Sequence, residues 1–293
     1  MNFGIVFTPG LAAITNVFAF ALGACIASFL NVVIWRVPRG ESIVSPPSHC
    51  PKCNALIKWY QNIPILSWLA LRGKCANCKA PISPRYILIE TLGGVLFLGA
   101  FVKLNPVEPF FWTPMLLMLL VAWIWISLMI VGSFIDFDLK LLPDFVTVGG
   151  MILGLVAALV KSLLAGLLVE SVSWKCLAPL IWSVAGLVFG FGLLWLVRFL
   201  GSKAFKREAM GMGDVFLMGA VGAMCGPVGV LVTLILSSVF GSVVGLSMIA
   251  LSKTKFGKFV EIPYGPYICM GCLAWMFYGP ELVNWYLRLM GVR

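Results

Sequence analysis

Long apolar runs, separated by short polar segments, follow one another along almost the whole chain. A helix needs about 20 consecutive apolar residues to cross the hydrocarbon core of a bilayer. The second and sixth runs are short, and the sixth either begins several residues earlier or forms a half-helix before Gly226 and Pro227. The pattern predicts an all-α membrane protein, a polytopic bundle of about eight transmembrane helices. The eight runs lie near residues 11–34, 86–101, 111–135, 145–168, 177–200, 215–225, 228–251 and 267–290.

The composition supports this class of protein. Of the 293 residues, 61% are hydrophobic and 11% charged, and the mean hydropathy is +1.03. Soluble domains carry about 25% charged residues, so a secreted disulfide scaffold, a disordered chain and an ordinary water-soluble enzyme are excluded. The net charge of +10 does not indicate nucleic-acid binding, because the basic residues lie in short segments between the apolar runs.

The basic residues also predict the orientation of the bundle. In an eight-span topology most of them fall on one side, in segments near 36–85, 136–144, 198–214 and 252–263. Short cytoplasmic loops carry an excess of Lys and Arg. This side is therefore predicted to be cytoplasmic, with both termini on the opposite side.

One long polar segment, residues 37–85, contains two pairs of cysteines. Paired C-x-x-C motifs at this spacing present four thiolates tetrahedrally to zinc. A short cytoplasmic segment keeps its thiols reduced and lacks the material for a core, so a metal would stabilise it. The pattern predicts structural Zn²⁺; the alternative is four free thiols in a loop. The predicted ligands are Cys50, Cys53, Cys75 and Cys78.

This loop divides the chain into three predicted parts. They are a first transmembrane span at 1–36, a cytoplasmic four-Cys zinc loop at 37–85 and a transmembrane bundle at 86–293. A further C-x-x-C pair, Cys269 and Cys272, has no second pair and lies in an apolar run, where cysteine usually packs as a small hydrophobe.

Acidic side chains at the edges of apolar runs are costly and indicate function by default. Two carboxyl groups held close together share a proton. The ionised group can then deprotonate a water, and the protonated group can polarise a carbonyl and protonate the leaving amine. Gly211 and Gly213 lack Cβ atoms and allow a substrate strand or helix to approach closely. The acids in question are Asp136, Asp138, Asp144 and Asp214, all predicted at the cytoplasmic membrane face.

Three other interpretations of these acids stay open. Asp136 and Asp144 can cap helix ends. Asp136 and Asp214 can relay protons in a secondary transporter, although no internal repeat is evident. The chain can also be a membrane scaffold whose zinc loop docks partners.

Six motifs, in order along most of the chain, resemble those of the prepilin peptidases. This family of G-x-G-D membrane aspartic proteases processes type IV pilins and type II secretion pseudopilins. Tyr stands where the family has Phe at 264 and 267, and Ile87 where it often has Pro. The motifs lie at residues 23–38, in the two C-x-x-C pairs, at 82–86 with Glu90, at 136–144, at 211–214 and at 262–267.

The resemblance implies an aspartic endopeptidase of the bacterial inner membrane. It implies Asp136 and Asp214 as the catalytic pair, with Asp138 and Asp144 as supporting groups. The implied substrate is a prepilin or pseudopilin, cleaved after Gly at the cytoplasmic face. The oligomeric state is left open.

The resemblance also implies a second activity. Family members with the zinc loop usually methylate the new N-terminus with S-adenosylmethionine. Arg85 and Glu90, at the junction of loop and membrane, are the candidates for methyl transfer, and interfacial anchoring is an equal alternative. The sequence shows no glycine fingerprint that would locate the methyl donor.

Overall fold

The computed structural model describes residues 9–104, 112–168, 174–206, 208, 210–251 and 263–291. Within these ranges the chain is almost entirely helical where it is regular, and it forms no extended strand. Ile262, Arg207 and most of the predicted cytoplasmic segment 252–263 lie outside the described residues. The helices are α1 (Pro9–Arg36), α2 (Leu66–Ala70), α3 (Arg85–Leu104), α4 (Trp112–Leu139), α5 (Asp144–Leu168), α6 (Trp174–Phe205), α7 (Met212–Leu251) and α8 (Gly265–Leu289).

The predicted fold class is confirmed. Six helices of the described ranges, α1 and α3 to α7, are long and apolar enough to cross a membrane, and α8 adds another 25 residues. The sixth and seventh predicted runs form two helical segments of α7, divided at Gly226. Gly226 adopts φ 73° and ψ 178°, a conformation open to glycine. Pro227 then begins the second segment, where its missing N–H is tolerated.

The chain divides into two compact units, Met1–Val131 and Gly132–Arg293. In the first unit α1 packs on α3 through small residues. A Cβ atom at Gly93 would lie 2.4 Å from the Cβ of Ala27. Such small residues let helix backbones approach closely, as is common between membrane helices.

In the second unit α7 packs against α5, α6 and α8. The first segment of α7 is its most buried part: Val215, Leu217 and Met218 are wholly buried. On α6, Gly186 meets Gly222 of α7 backbone to backbone. The N-terminus of this core segment carries Asp214, so close packing of the bundle fixes the position of that acid.

Candidate functional site

Asp136 is buried near the end of α4, with 5% of its surface exposed. The sequence ends the apolar run at residue 135, but the helix continues to Leu139, so Asp136 lies inside a helix rather than in a turn. The backbone N–H of Gly265, at the start of α8, donates a hydrogen bond of 3.0 Å to Asp136 Oδ2. A Cβ atom at Gly265 would lie 2.6 Å from that oxygen. Only glycine therefore permits this contact without displacement.

Asp214 is the third residue of α7 and is 8% exposed. Its Oδ2 lies 3.7 Å from the position of a Cβ atom at Gly211. A Cβ atom at Gly213 would lie 3.0 Å from the Cβ of Leu142. Gly211 thus leaves the carboxylate room, and Gly213 lets α7 begin against the turn that follows α4.

The structure brings the two buried acids together. The carboxyl groups of Asp136 and Asp214 interact electrostatically, and both act on the thiol of Cys269. Leu142 contacts the positions of Cβ atoms at both Gly213 and Gly265, and so packs beside each acid. The pair is therefore held by α4, α7 and α8, and buried coupled carboxyl groups have the chemistry of a general acid and a general base.

Asp138 and Asp144 differ from this pair because both are exposed. Asp138 follows Asp136 by two residues on the same helix, and successive helical residues are rotated by about 100°. Asp144 begins α5, where a carboxylate interacts favourably with the helix dipole. Both side chains therefore lie at the surface, whereas Asp136 and Asp214 are buried.

Sequence reasoning missed three contributors to this site. The amide of Gly265 lies in a motif noted above, but a backbone donor has no side-chain signature. Cys269, interpreted as packing, is fully buried and its thiol hydrogen-bonds Ser133, one turn before Asp136. Apart from its position between two acids, nothing in the sequence marks Leu142 as part of the site.

The four cysteines of the polar loop form one cluster, with all Sγ atoms within 4.8 Å of one another. Tetrahedral zinc with Zn–S bonds of about 2.3 Å separates its sulfurs by about 3.8 Å. The Sγ atoms of Cys50 and Cys78 are 3.8 Å apart. The donor set therefore fits structural zinc.

The two C-x-x-C pairs of the cluster make the same backbone hydrogen bond. The N–H of Cys50 donates to the carbonyl of Ala55 at 2.9 Å, and the N–H of Cys75 donates to that of Ala80 at 2.8 Å. Hydrogen bonds from the N–H groups of Cys78 and Asn77 lower the pKa of the Cys75 thiol to about 6. Cys75 is therefore largely a thiolate at neutral pH, which is the form that binds metal.

Glu90 lies on α3 and is 7% exposed. Its Oε2 accepts a hydrogen bond of 2.7 Å from the N–H of Ile65. Ile65 has φ 64° and ψ −54°, and Leu66 N donates to the carbonyl of Pro64 at 2.6 Å. This is a γ-turn of positive φ, which is strained for a β-branched residue.

The turn at Ile65 is connected through α2 to the loop that carries the four-cysteine cluster. Ile65 precedes α2, and the ring of Trp68 on α2 lies 2.8 Å from the position of a Cβ atom at Gly73. Gly73 precedes Cys75 and accepts a hydrogen bond from Ile82. Arg85 begins α3 and is partly buried.

The fold and these sites define a polytopic helical membrane protein with a buried acidic pair and a four-cysteine cluster that could hold a metal. Two family models match the chain: the Bacterial Peptidase A24 N-terminal domain over residues 21–104 and the Type IV leader peptidase family over residues 123–246. The chain belongs to the type IV leader peptidase family.

Curated relatives agree with this assignment. A "Prepilin leader peptidase/N-methyltransferase" of Myxococcus xanthus (strain DK1622) is 40% identical over 233 residues, which cover 80% of this chain and 63% of the relative. A "Type 4 prepilin-like proteins leader peptide-processing enzyme" of Escherichia coli O78:H11 is 34% identical, over 87% of this chain and 91% of the relative. A "Prepilin leader peptidase/N-methyltransferase" of Legionella pneumophila is 33% identical, over 94% and 93%. No solved structure matches the chain significantly.

Proposed function

We propose that this chain is an aspartic endopeptidase of the bacterial inner membrane. It removes the leader of type IV prepilins or type II secretion pseudopilins by cleaving after Gly at the cytoplasmic face. Asp136 and Asp214 form the catalytic pair. The observation that carries the proposal is that two buried carboxyl groups of different helices lie around one side chain, Leu142, near enough for the charge of one to act on the other.

The proposed reaction needs one proton shared by the pair. The ionised carboxylate takes a proton from a water, whose oxygen attacks the carbonyl carbon of the last Gly of the leader. The protonated carboxyl group donates a hydrogen bond to the carbonyl oxygen and later gives its proton to the leaving amine. The C–N bond then breaks, releasing the leader as a carboxylate. The hydrogen bond from Gly265 to Asp136 fixes the orientation of one member throughout.

The supporting residues leave space beside the catalytic pair or lie at its exposed edge. Gly211 leaves space beside Asp214, and Gly213 allows contact with Leu142. We assign Asp138 and Asp144 to the exposed rim of the site, where they attract the basic leader over a Debye length of about 8 Å.

The direct test is to incubate membranes containing the wild-type chain with a prepilin whose leader ends in Gly. We expect the mass of the pilin to fall by the mass of the leader. A proton-coupled transporter would instead acidify proteoliposomes without shortening the pilin. An unchanged pilin mass with folded protein present contradicts the peptidase proposal.

We propose N-methylation of the new N-terminus, with S-adenosylmethionine as methyl donor, as the second activity. It is supported by the bifunctional names of two relatives. In this proposal Zn²⁺ on the four cysteines stabilises residues 37–85, and Glu90 holds the strained turn at Ile65 in place. Arg85, at the start of the same helix, is a second candidate for this activity.

Replacing Cys75 with Ser is expected to remove zinc and impair methyl transfer. A structural zinc site contributes about 10 kcal/mol or more of apparent binding free energy, so losing one ligand unfolds the loop. Zinc content should fall from about one ion per chain to near zero, measured by mass spectrometry of the metal. Cys25→Ser is the matched control, because Cys25 is exposed and outside the cluster. Unchanged metal content in Cys75→Ser would remove the zinc proposal.

Substitutions at Glu90 separate its hydrogen bond from its charge. Glu90→Gln keeps a side-chain oxygen for Ile65 N–H, whereas Glu90→Leu leaves this donor without its partner. An unsatisfied buried donor costs about 1–3 kcal/mol, so the Leu variant should lose methyl transfer about tenfold or more. The Gln variant should stay within about threefold of wild type. The assay uses an already shortened pilin, and equal losses in both variants would contradict the positioning role.

A further inference from the structure

Arg198, in the last two turns of α6, contacts the turn that leads into α7 with all three guanidinium nitrogens. Its Nε donates to the carbonyl of Met210 at 3.0 Å. Its Nη1 lies 3.4 Å from the sulfur of Met212, and its Nη2 lies 3.3 Å from a carboxylate oxygen of Glu208. Since Met210 and Met212 flank Gly211, one side chain holds both sides of the glycine that borders Asp214.

These three contacts differ in how strongly each of them holds the turn. The Glu208 side chain is 82% exposed, and exposed ion pairs contribute little. The bond to the Met210 carbonyl is charge-assisted and fixes the backbone directly. The contact with Met212 reaches the first residue of α7, two positions before Asp214.

We infer that Arg198 is a positioning residue for peptide cleavage: its guanidinium clamps the Met210–Met212 turn and thereby orients Asp214 against Asp136. This inference rests on the proposed peptidase function. A basic residue at this membrane face is already expected from the positive-inside pattern, and Lys satisfies that pattern equally well. The clamp requires Arg, because its rigid planar fork holds donors on three separate nitrogens in fixed directions, whereas a Lys ammonium is a point charge on a flexible stem.

Replacing Arg198 leaves space that water can fill. Its side chain is 27% exposed and lines an open groove of about 490 Å³ that also includes Trp195, Phe199 and Lys203. Trp195 and Phe199 stack on each other with centroids 5.6 Å apart and do not need the guanidinium for that contact. Variants at 198 are therefore expected to fold.

The test measures cleavage kinetics for Arg198→Gln and Arg198→Lys in membranes. We expect kcat to fall about tenfold or more in both, with KM for the prepilin within about twofold, because misplacing a catalytic group affects the chemical step. Lys203→Gln, a change of the same charge in the same groove, is the matched control and should keep wild-type kcat. Methylguanidinium added to Arg198→Ala should restore part of the lost kcat, which a purely structural defect would not allow.

The outcomes distinguish this inference from the function on which it rests. If Arg198→Gln keeps the wild-type kcat while Asp214→Asn is inactive, the positioning role of Arg198 is overturned and the peptidase proposal stands. A parallel loss of cleavage, methyl transfer and thermal stability in Arg198→Gln also overturns it, since Arg198 would then serve the fold. Full cleavage by Asp214→Asn overturns the peptidase proposal whatever Arg198 does.

Discussion

Replacing Asp136 or Asp214 with Asn is expected to abolish leader cleavage while the protein stays folded. Asn preserves the shape of the side chain and its carbonyl can still accept the bond from Gly265, but it cannot carry the shared proton. General acid or base catalysis contributes about 10²–10⁴-fold, so each variant should lose at least about a hundredfold in rate. The double variant should be little worse, because groups that act as a unit are not additive.

The measurement is the mass of a prepilin after incubation with membranes containing each variant. Asp138→Asn is the matched control, since it makes the same change on the same helix at an exposed position. It should lose less than about tenfold, as expected for a charge that only attracts the leader. Full cleavage by both Asp136→Asn and Asp214→Asn would end the proposal of a catalytic pair.

Replacing Gly222 with Ala is expected to disrupt the packing of α6 on α7. The new Cβ atom would lie 2.0 Å from the carbonyl oxygen of Gly186 and 2.4 Å from its carbonyl carbon. Both neighbours are backbone atoms, so no side-chain rotation relieves the contact and the helices must separate. Overpacking typically costs about 1–3 kcal/mol and sometimes more; we expect the upper end, together with displacement of Asp214.

Thermal unfolding in detergent measures this effect, and we expect the melting temperature to fall by about 6–12 °C. Gly192→Ala is the matched control on α6, because a Cβ atom there meets nothing within 4 Å. That variant should be unchanged or slightly more stable, since Ala favours helix over Gly by about 1 kcal/mol. Equal melting temperatures for the two variants would contradict the packing argument.

Apolar patterning was sufficient to predict most of the helices, because a membrane helix needs a long apolar run and little else. It failed at one boundary. The acids after Ile135 interrupt the apolar run without ending the helix, and Asp136 in its last turn is buried and bonded to the start of α8. The pair of Gly226 and Pro227 marks a true interruption, although helix resumes after a single residue.

The four-cysteine cluster was predictable because its members lie close together in sequence and their spacing reflects the geometry of two local turns. The proximity of Asp136 and Asp214 was implied by the resemblance but could not be derived from the apolar pattern, because it depends on how α7 and α8 pack around Leu142. The turn at Ile65 gave no signal at all, since isoleucine is among the residues least expected at positive φ. That Glu90 holds it could be found only from coordinates.

The bond between Gly265 and Asp136 joins a helix near the middle of the chain to α8, the most C-terminal helix described. A ribosome has therefore synthesised both acids long before it delivers the amide that orients one of them. The nascent polypeptide therefore carries the proposed catalytic pair before the amide that orients Asp136 exists. Under the proposed function, proteolytic competence is acquired only when synthesis has reached α8.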